Sequence, residues 1–249
     1  MAPLLGTIGS ASARGFGLLS AKSDIVVNPV TSGLQFTLDA SNPSSYPGSG
    51  TSVFDISGNG RHGVFNNANV YWVAKSGNTP AYFRFTGSSD GDYLYQNQGS
   101  SHYTYDLVIG MMVTDANSGL GCVYSYVGAS DKSLRLYEDP ANNQWGFRGG
   151  SQPPDGNDWN YNETAKTMIN NLQPLAYPSL YPTNTWGIAR SYSSNGNFVR
   201  PHSYMLGANA YPGRQLRGRI NFIHGYNREL SNAEIQSIYG AYKTRLGIA

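Results

Sequence analysis

Short alternating runs of apolar and polar residues are the feature that most constrains how this chain can fold. Leu34, Phe36 and Leu38 alternate with Gln35 and Thr37, so this run predicts a strand with one buried face. The 249 residues include 30 Gly and 13 Pro, which supply turns between such runs. This composition favours many short strands over long helices.

Other segments have the same character. Phe83 and Phe85 alternate with their neighbours, and residues 105–113 are apolar on both faces, as in a central strand that is covered on each side. Further strands are expected at 121–127, 133–137, 144–147, 185–192, 198–206 and 216–226. So many strands predict an all-β fold in which two antiparallel sheets pack as a sandwich.

A short C-terminal α-helix is predicted over residues 232–246. Ser231 and Glu234 have the spacing of a capping box, and Leu230 can pack on Ile235. Apolar residues then recur at helical spacing, at Ile235, Ile238, Tyr239 and Tyr242. Lys243 and Arg245 are expected in the last turn, where they favour the helix dipole, and Gly247 is a suitable stop.

Residues 1–30 are rich in small residues and have neither the period of a strand nor that of a helix. We expect an extended N-terminal arm here, followed by one β-domain over residues 31–249. Apolar arms of this kind are ordered when they lie on a partner, so docking on a neighbouring subunit is the first interpretation and packing on the chain itself the second. The arm's contacts are expected from Leu4, Leu5, Arg14, Phe16, Leu18 and Leu19.

The alternating pattern breaks down over residues 139–185. This segment is polar and long, and it reads as an insertion-like loop region of the domain. Its aromatic residues are Trp145, Trp159, Tyr161, Tyr177 and Tyr181. Loops of this length are usually functional or interfacial.

Composition and charge exclude several functions. Charged residues make up 13% of the chain, and 17 basic against 15 acidic residues give a formal net charge of +2. Nucleic acid is not expected as a partner, because binding to phosphates requires clustered Lys and Arg. Cys122 is the one cysteine, which excludes an intrachain disulfide and a cysteine-based metal site. The sequence predicts neither a secretory signal nor a membrane span, so we expect the chain to fold where it is made, in the reducing cytoplasm of a cell.

Two separated segments carry a recognisable pattern. They are LDASNPSSYPGSGTSVFDISGNGRHGVFNN at 38–67 and GRINFIHGYNRELSNAEIQSIYGAYKTRLGI at 218–248. The first resembles the opening, and the second the closing strand and helix, of laminin-G-like domains in the concanavalin A-like lectin and glucanase superfamily. FRFTGSSDGDYL at 83–94 is similar to an intervening segment of these domains, and Trp186 falls where they place a tryptophan that opens a late strand.

The resemblance implies a jelly-roll sandwich of the concanavalin A-like type. The motifs SSYPGSG at 44–50 and YNREL at 226–230 are similar to domains in structural proteins of tailed phages, many of them from aquatic hosts. The resemblance therefore implies a location on the virion surface. It also implies other virion proteins as partners, either major capsid or tail subunits, and homo-oligomers within the assembly.

Glycoside hydrolysis is not expected. Glucanases of the superfamily carry E-x-D-x-x-E, which places two glutamates on one strand face. The chain's glutamates, Glu138, Glu163, Glu229 and Glu234, do not form this motif. Glu138 and Asp139 are adjacent and would point to opposite faces of a strand. The sequence therefore predicts a protein that is not an enzyme.

No cofactor is expected, although laminin-G-like domains often hold calcium. Asp90 and Asp92 could offer two carboxylates to such an ion, as could Asp155 and Asp158, but neither pair supplies a full ligand set. Turn-forming acids are the simpler interpretation of both pairs. The histidines lack the paired spacing of a zinc site.

Sugar binding remains as a candidate function. Carbohydrate sites combine aromatic rings, which pack on the C–H face of a sugar, with polar groups that bind its hydroxyls. The candidate residues are Trp145, Arg148, Asp158, Trp159, Asn160 and Tyr161. The same residue types dominate protein interfaces, so an interface with a neighbouring subunit is an equal alternative.

Residues 55–63, DISGNGRHG, combine an acid, a basic residue and a histidine, but they read as a turn between two strands. Asp55 is expected to accept backbone N–H bonds. Three glycines are expected to supply positive φ values, namely Gly58, Gly60 and Gly63. Arg61 and His62 are then expected to face solvent or a neighbouring subunit.

These observations predict a non-enzymatic virion structural protein of a tailed phage. Its N-terminal arm would anchor it to the particle, and its sandwich would decorate or reinforce the capsid. The alternative is an adhesin of the tail or fibre that binds glycans of the host surface.

Overall fold

The computed structural model describes residues 25–89, 91–97, 106–114, 122–126, 132–139, 144–151, 165–169, 181–193, 203–206 and 215–248. Within these ranges the strands are β1 (Leu34–Asp39), β2 (Ser52–Val53), β3 (Gly63–Phe65), β4 (Val70–Val73), β5 (Tyr82–Phe85), β6 (Leu94–Asn97), β7 (Asp106–Val113), β8 (Cys122–Tyr126), β9 (Lys132–Asp139), β10 (Gln144–Ser151), β11 (Ala165–Ile169), β12 (Tyr181–Pro182), β13 (Gly187–Ser193), β14 (Ser203–Leu206) and β15 (Gly218–Tyr226). One helix, α1 (Asn232–Tyr242), follows β15 in this part of the chain.

The strands form two antiparallel sheets. Sheet 1 has the order β11-β13-β7-β15-β5-β4, with β1 also paired to β15, and sheet 2 has the order β12-β10-β9-β8-β14-β6-β3-β2. This arrangement confirms the prediction of a two-sheet antiparallel sandwich with a short C-terminal helix. Because β1 pairs with β15, the two segments that carry the family resemblance lie side by side.

The main core lies between the sheets and is built by alternation. Phe36 and Leu38 on β1 and Phe83 and Phe85 on β5 are buried in it, as predicted. Leu34 differs, because an irregularity between Leu34 and Phe36 moves it to the opposite face of sheet 1. The other strands of sheet 1 contribute Leu107, Ile109, Met111, Val113, Ile220 and Ile223, and sheet 2 contributes Val53, Phe65 and Leu94.

A second cluster covers the outer face of sheet 1. Val108 and Met112 on β7 pack there with Phe222 and Tyr226 on β15 and with the buried side of α1. Every residue of β7 is therefore buried, which confirms the prediction of a central strand covered on both faces. A strand that is covered on both faces is apolar at nearly every position, because its side chains on either face are buried.

Helix α1 begins as predicted but ends earlier. Both hydrogen bonds of the capping box between Ser231 and Glu234 are present. The helix ends at Tyr242 instead of residue 246, with Lys243 as its C-cap. Arg245 therefore lies beyond the helix, and its guanidinium pairs with Asp39 instead of interacting with the helix end. Gly247 has φ of 68°, as a chain reversal after a helix requires.

The last residues of the predicted arm belong to the domain. Val26 and Val30 pack into the cluster around α1, while Val27 on the other side of the segment is 81% exposed. The residues predicted to make the arm's contacts lie outside the described ranges, namely Leu4, Leu5, Arg14, Phe16, Leu18 and Leu19.

Residues 139–185 contain more regular structure than their polarity suggested. Strands β10, β11 and β12 lie in this range. Strand β11 belongs to sheet 1, and strands β10 and β12 belong to sheet 2. Only the range 144–147 was expected to form a strand there. Within the described residues, no helix combines the length and apolar character that crossing a bilayer requires.

Candidate functional site

The two sheets differ in what covers their outer faces. Sheet 1 is covered by α1 and by Val26 and Val30. Along β3 of sheet 2 and the residues that flank it, the exposed His62, Val64 and Asn66 alternate with the buried Gly63 and Phe65. The outer face of sheet 2 is therefore open to solvent at its β2–β3–β6 end. We call the group Phe54, His62, Val64, Tyr93 and Tyr95 at this end the aromatic face.

Register and ring geometry bring these side chains together. Val64 lies directly opposite Tyr95 on the neighbouring strand, and the rings of Tyr93 and Tyr95 have centroids 6.3 Å apart at 69°. The rings of Phe54 and His62 lie 5.4 Å apart at 76°. Phe54, which follows β2, and Val64 on β3 are 40% and 44% exposed, so they add apolar surface to the aromatic rings.

The turn at residues 55–63 holds His62 in place. Asp55 Oδ1 accepts the backbone N–H of Thr37, and Asp55 Oδ2 accepts that of Arg61, as expected for a turn-capping acid. His62 Nδ1 accepts the backbone N–H of Asp55 at 3.0 Å. The neutral ring therefore carries its proton on Nε2, which is the nitrogen left to face a ligand.

Two expectations for this turn need correction. Gly58 and Gly60 have φ of 91° and 69°, as predicted, whereas Gly63 does not have a positive φ. Gly63 is required for space instead, because a Cβ there would lie 2.1 Å from Leu94 Cδ2. Arg61 does not simply face solvent, since its Nη1 donates to Gln35 Oε1 at 2.7 Å.

The chemistry of the aromatic face suits a neutral, partly apolar ligand. Phenol rings offer flat apolar surfaces together with hydroxyl groups, and the His62 ring adds an N–H donor. The five residues that define this face include no Asp, Glu, Lys or Arg. A sugar ring, with its C–H faces and hydroxyl rim, has the complementary chemistry.

Asp92, one of the two candidate calcium ligands, organises a loop. Burial would raise the pKa of this carboxyl, but hydrogen bonds outweigh burial and hold it well below its usual range. Oδ1 accepts from Asn67 Nδ2, Asn69 Nδ2 and Ser89 Oγ, and Oδ2 accepts from Thr86 Oγ1, Ser88 N, Ser88 Oγ and Ser89 N. Protein donors therefore occupy both oxygens of the Asp92 carboxylate. This matches a turn-forming acid, which is the simpler interpretation of Asp92 in the sequence.

The other candidate metal ligands, Asp90, Asp155 and Asp158, lie outside the described residues. Among the described residues, no group of three or more His, Cys, Asp or Glu side chains is arranged to hold a metal ion.

The residues predicted from 139–185 are described only in part. Trp145 and Arg148 are both on β10, and an odd spacing of three puts the two positions on opposite faces of a regular strand. Arg148 lies directly opposite Arg135 on β9, and Trp145 opposite Glu138. The remaining candidates lie outside the described residues, namely Asp158, Trp159, Asn160 and Tyr161.

Buried charges in the described residues serve the packing of α1. Arg190 donates from Nε and Nη2 to the Asp106 carboxylate, and Asp106 also accepts the backbone N–H of Leu230 just before the helix. Burial raises the pKa of Asp106 to about 6, although the hydrogen bonds from Arg190 oppose this shift. Glu234 is held by Arg228, which lowers its pKa to about 2. These carboxylates are structural.

Sequence reasoning missed the aromatic face. The alternation of His62, Val64 and Asn66 with Gly63 and Phe65 is visible in the sequence, but these residues were assigned to a turn and its flank. Tyr93 and Tyr95 likewise alternate with Asp92 and Leu94. The sequence pattern that indicates this face is a pair of short strands whose solvent-facing positions are aromatic or apolar instead of polar.

No protein-family model matches the chain, and no curated protein sequence matches it. Solved structures match its fold. A Trypanosoma rangeli sialidase mutant that displays trans-sialidase activity aligns with a TM-score of 0.54 and 15% identity, over 88% of this chain and 34% of the sialidase. The same sialidase in complex with 2,3-difluorosialic acid aligns with a TM-score of 0.53 and 16% identity, over 87% of this chain and 34% of the sialidase.

The shared fold is a lectin-like β-sandwich. The chain spans about a third of the length of these sialidases, so the alignment concerns one part of them. Identity at this level shows the fold alone, and the activity of the sialidases remains a property of those proteins.

Proposed function

We propose that this chain is a non-enzymatic structural protein of a tailed-phage virion. Its N-terminal arm attaches it to the particle, and its lectin-like sandwich is displayed as a capsid decoration or reinforcement. Other virion proteins, either major capsid or tail subunits, are its partners, and copies of the chain associate in the assembly. The laminin-G-like resemblance at both ends of the domain supports this proposal.

The observation that carries the proposal is the attachment of residues 25–30 to the domain. Asn28 Nδ2 donates to Tyr226 Oη at 2.8 Å, and Tyr226 Oη donates to the carbonyl of Val30 at 3.2 Å. Tyr242 Oη on α1 donates to the carbonyl of Val26 at 3.4 Å. The last residues of the predicted arm are therefore fixed to both β15 and α1, which supports an anchoring role for the residues that precede them.

The absence of enzyme activity is part of the proposal. It is supported by the roles of five described carboxylates, which cap turns, hold loops or pair with arginines. These carboxylates are Asp39, Asp55, Asp92, Asp106 and Glu234. A glucanase of the retaining type would need two carboxylates that face one substrate.

Removal of the arm tests the proposal directly. A variant that lacks residues 1–24 should keep the β-sheet circular dichroism signal and the thermal transition of the full chain, because it retains the hydrogen bonds of Val26, Asn28 and Val30 with β15 and α1. It should no longer join the particle. A full-length variant with the arm sequence scrambled is the matched control for length and composition. Incorporation of the truncated chain at normal levels would contradict the anchoring role.

Copy number separates decoration from the second candidate. Quantitative mass spectrometry of purified particles should find hundreds of copies for a decoration protein. A handful of copies would favour an adhesin at the tail or fibre.

The second candidate function is glycan recognition at the host surface, and the aromatic face favours it. Tyr95→Ala should weaken binding on a glycan array by about tenfold, because stacking of one aromatic ring contributes roughly 1 kcal/mol or more. Val27→Ala on the opposite side of the domain is the control. Trp159→Ala tests the predicted residues of 145–161 in the same assay. If the unmodified protein binds no glycan, the interfacial interpretation of these aromatic residues is favoured.

A further inference from the structure

Two arginines face each other on the outer side of sheet 1. Arg84 on β5 lies directly opposite Arg219 on β15. Phe83 and Phe85 point into the core, so Arg84 is on the outer face of the sheet. Tyr71 on the edge strand β4 lies directly opposite Arg84, on its other side. Like charges at directly opposed positions destabilise a sheet, so this arrangement calls for an explanation.

Neither guanidinium has an acidic partner within the described residues. Arg219 lies over the ring of Tyr82, 4.8 Å from its centroid, and its buried Nε makes no hydrogen bond. Arg84 is half-buried and makes no ion pair there. Other arginines of the domain behave differently, since Arg190, Arg228 and Arg245 pair with Asp106, Glu234 and Asp39. Two partly desolvated cations without counter-charges attract an anion.

We infer that Arg84 and Arg219 bind the carboxylate of an acidic sugar, with Tyr71 packed against the sugar ring. Arginine binds a carboxylate through two parallel hydrogen bonds, and the second arginine adds charge. The Tyr71 side chain is 45% exposed and one strand away from Arg84, so its ring offers a flat surface beside the bound anion. This inference rests on the proposed glycan binding and gives it a second surface, on the opposite sheet from the aromatic face.

The combination of groups in the site favours an acidic sugar. The guanidinium groups of Arg84 and Arg219 lie beside the rings of Tyr71 and Tyr82. Inorganic phosphate would use the arginines but not the exposed ring. An acidic pyranose uses both, because its carboxylate and its C–H face lie on the same small molecule.

The site is also separated from the root of the arm. Arg219 and Tyr226 are seven residues apart on β15, which corresponds to about 23 Å along a strand. Tyr226 is the residue that holds Asn28 and Val30. Attachment through the arm would therefore leave the arginine pair accessible.

The test compares matched acidic and neutral glycans. The probes are hexagalacturonic acid and its methyl ester, together with an array of other glycans present as acid and ester pairs. The full chain should bind at least one acid form about tenfold or more tightly than its ester, and this preference should fall as salt is added. Arg84→Ala and Arg219→Ala should each abolish the preference.

Stability separates a binding role from a structural one. The Tm of Arg84→Ala should be unchanged or higher than that of the unmodified chain, because the substitution removes the repulsion between opposed charges. Arg84→Met, which keeps most of the apolar stem, is a second variant in case the alanine destabilises the strand. Arg228→Ala is the matched control, since this arginine is already paired with Glu234. It should leave the acid preference intact.

Several results would overturn the inference. They are equal binding of acid and ester in every pair, loss of the preference in Arg228→Ala but not in Arg84→Ala, or a poly-glutamate peptide that binds as tightly as the acidic glycan. If the chain binds neutral glycans in a way that depends on Tyr95 but shows no preference for acid forms, this inference fails and the proposed glycan recognition stands. If the chain binds no glycan at all, both this inference and the proposed glycan recognition fail.

Discussion

The Arg245 guanidinium lies 2.9 Å from the Asp39 carboxylate, and the two side chains are 3% and 0% exposed. This ion pair connects the segment after α1 to β1. The Arg245 guanidinium also lies over the rings of Tyr242 and Phe222, at 4.7 and 5.7 Å from their centroids. The end of the chain is thus held to the first strand by a charge pair that the fold excludes from water.

Arg245→Met should lower the free energy of unfolding by about 3–5 kcal/mol, measured by urea denaturation, because it leaves the Asp39 carboxylate buried without its counter-charge. Burial raises the pKa of Asp39 even with Arg245 present, so the unpaired carboxyl would take up a proton more readily. Arg228→Met is the control, since its pair with Glu234 is partly exposed and should cost less than about 1 kcal/mol. Equal losses in the two variants would contradict the role assigned to the buried pair.

Gly63→Ala should destabilise the sandwich by about 1–3 kcal/mol, because the new Cβ would lie 2.1 Å from Leu94 Cδ2 in the core. Gly240→Ala is the contrasting substitution. A Cβ at Gly240 meets no atom within 4 Å, and this exposed position in α1 should gain about 0.5–1 kcal/mol of helix propensity. Thermal denaturation of both variants checks the opposite signs. A neutral Gly63→Ala would show that Leu94 repacks easily.

His224 should make the domain less stable as pH falls below about 6.5. Burial, with a smaller contribution from Arg245, lowers the pKa of His224 from 6.5 to about 3. The unfolded chain then binds a proton that the folded chain does not, so stability is present above pH 6.5 and is lost as pH falls toward 3. The slope from this one group is at most about 1.4 kcal/mol per pH unit.

His224→Gln isolates this effect, because an amide can still reach Thr37 Oγ1, which lies 3.2 Å from His224 Nδ1. Urea denaturation at pH 7.0, 5.5 and 4.5 should show a smaller loss of stability for the variant than for the unmodified chain. The raised pKa of Asp39 acts in the opposite direction, so only the difference between the two proteins is informative. Parallel pH curves would refute the assignment.

Asp92→Asn should destabilise the loops around residues 66–69 and 86–92 by about 2 kcal/mol or more. An amide would replace one accepting oxygen with a donor that faces the donors of Ser88 and Ser89. We expect the Tm of the unmodified chain to stay the same with EGTA or with added calcium, because protein donors already occupy both oxygens of Asp92. A calcium-dependent rise in Tm that is lost in Asp92→Asn would instead support the calcium site.

Local patterns predicted much of this fold. Except at Leu34, alternation predicted which faces of β1 and β5 enter the core, and an apolar run predicted that β7 is covered on both sides. The capping box predicted where α1 begins, because its hydrogen bonds join residues only three apart. Each of these features depends on neighbours in the chain, which is why sequence alone was sufficient.

The candidate surfaces depend on pairing between distant strands. Val64 meets Tyr95 and Arg84 meets Arg219 because β3 pairs with β6 and β5 with β15. No spacing within either strand indicates these partners, and a shift of one residue in register would move each side chain to the other face of its sheet.

The sequence by itself therefore determined the sandwich class, the covered central strand and the start of the helix. Only the tertiary structure decided that Arg245 pairs with Asp39 beyond the helix end, that Gly63 is needed for space instead of for its φ, and that sheet 2 presents an aromatic face. The physical reason is that these features are set by contacts between chain segments far apart in sequence, which form only when the two sheets pack.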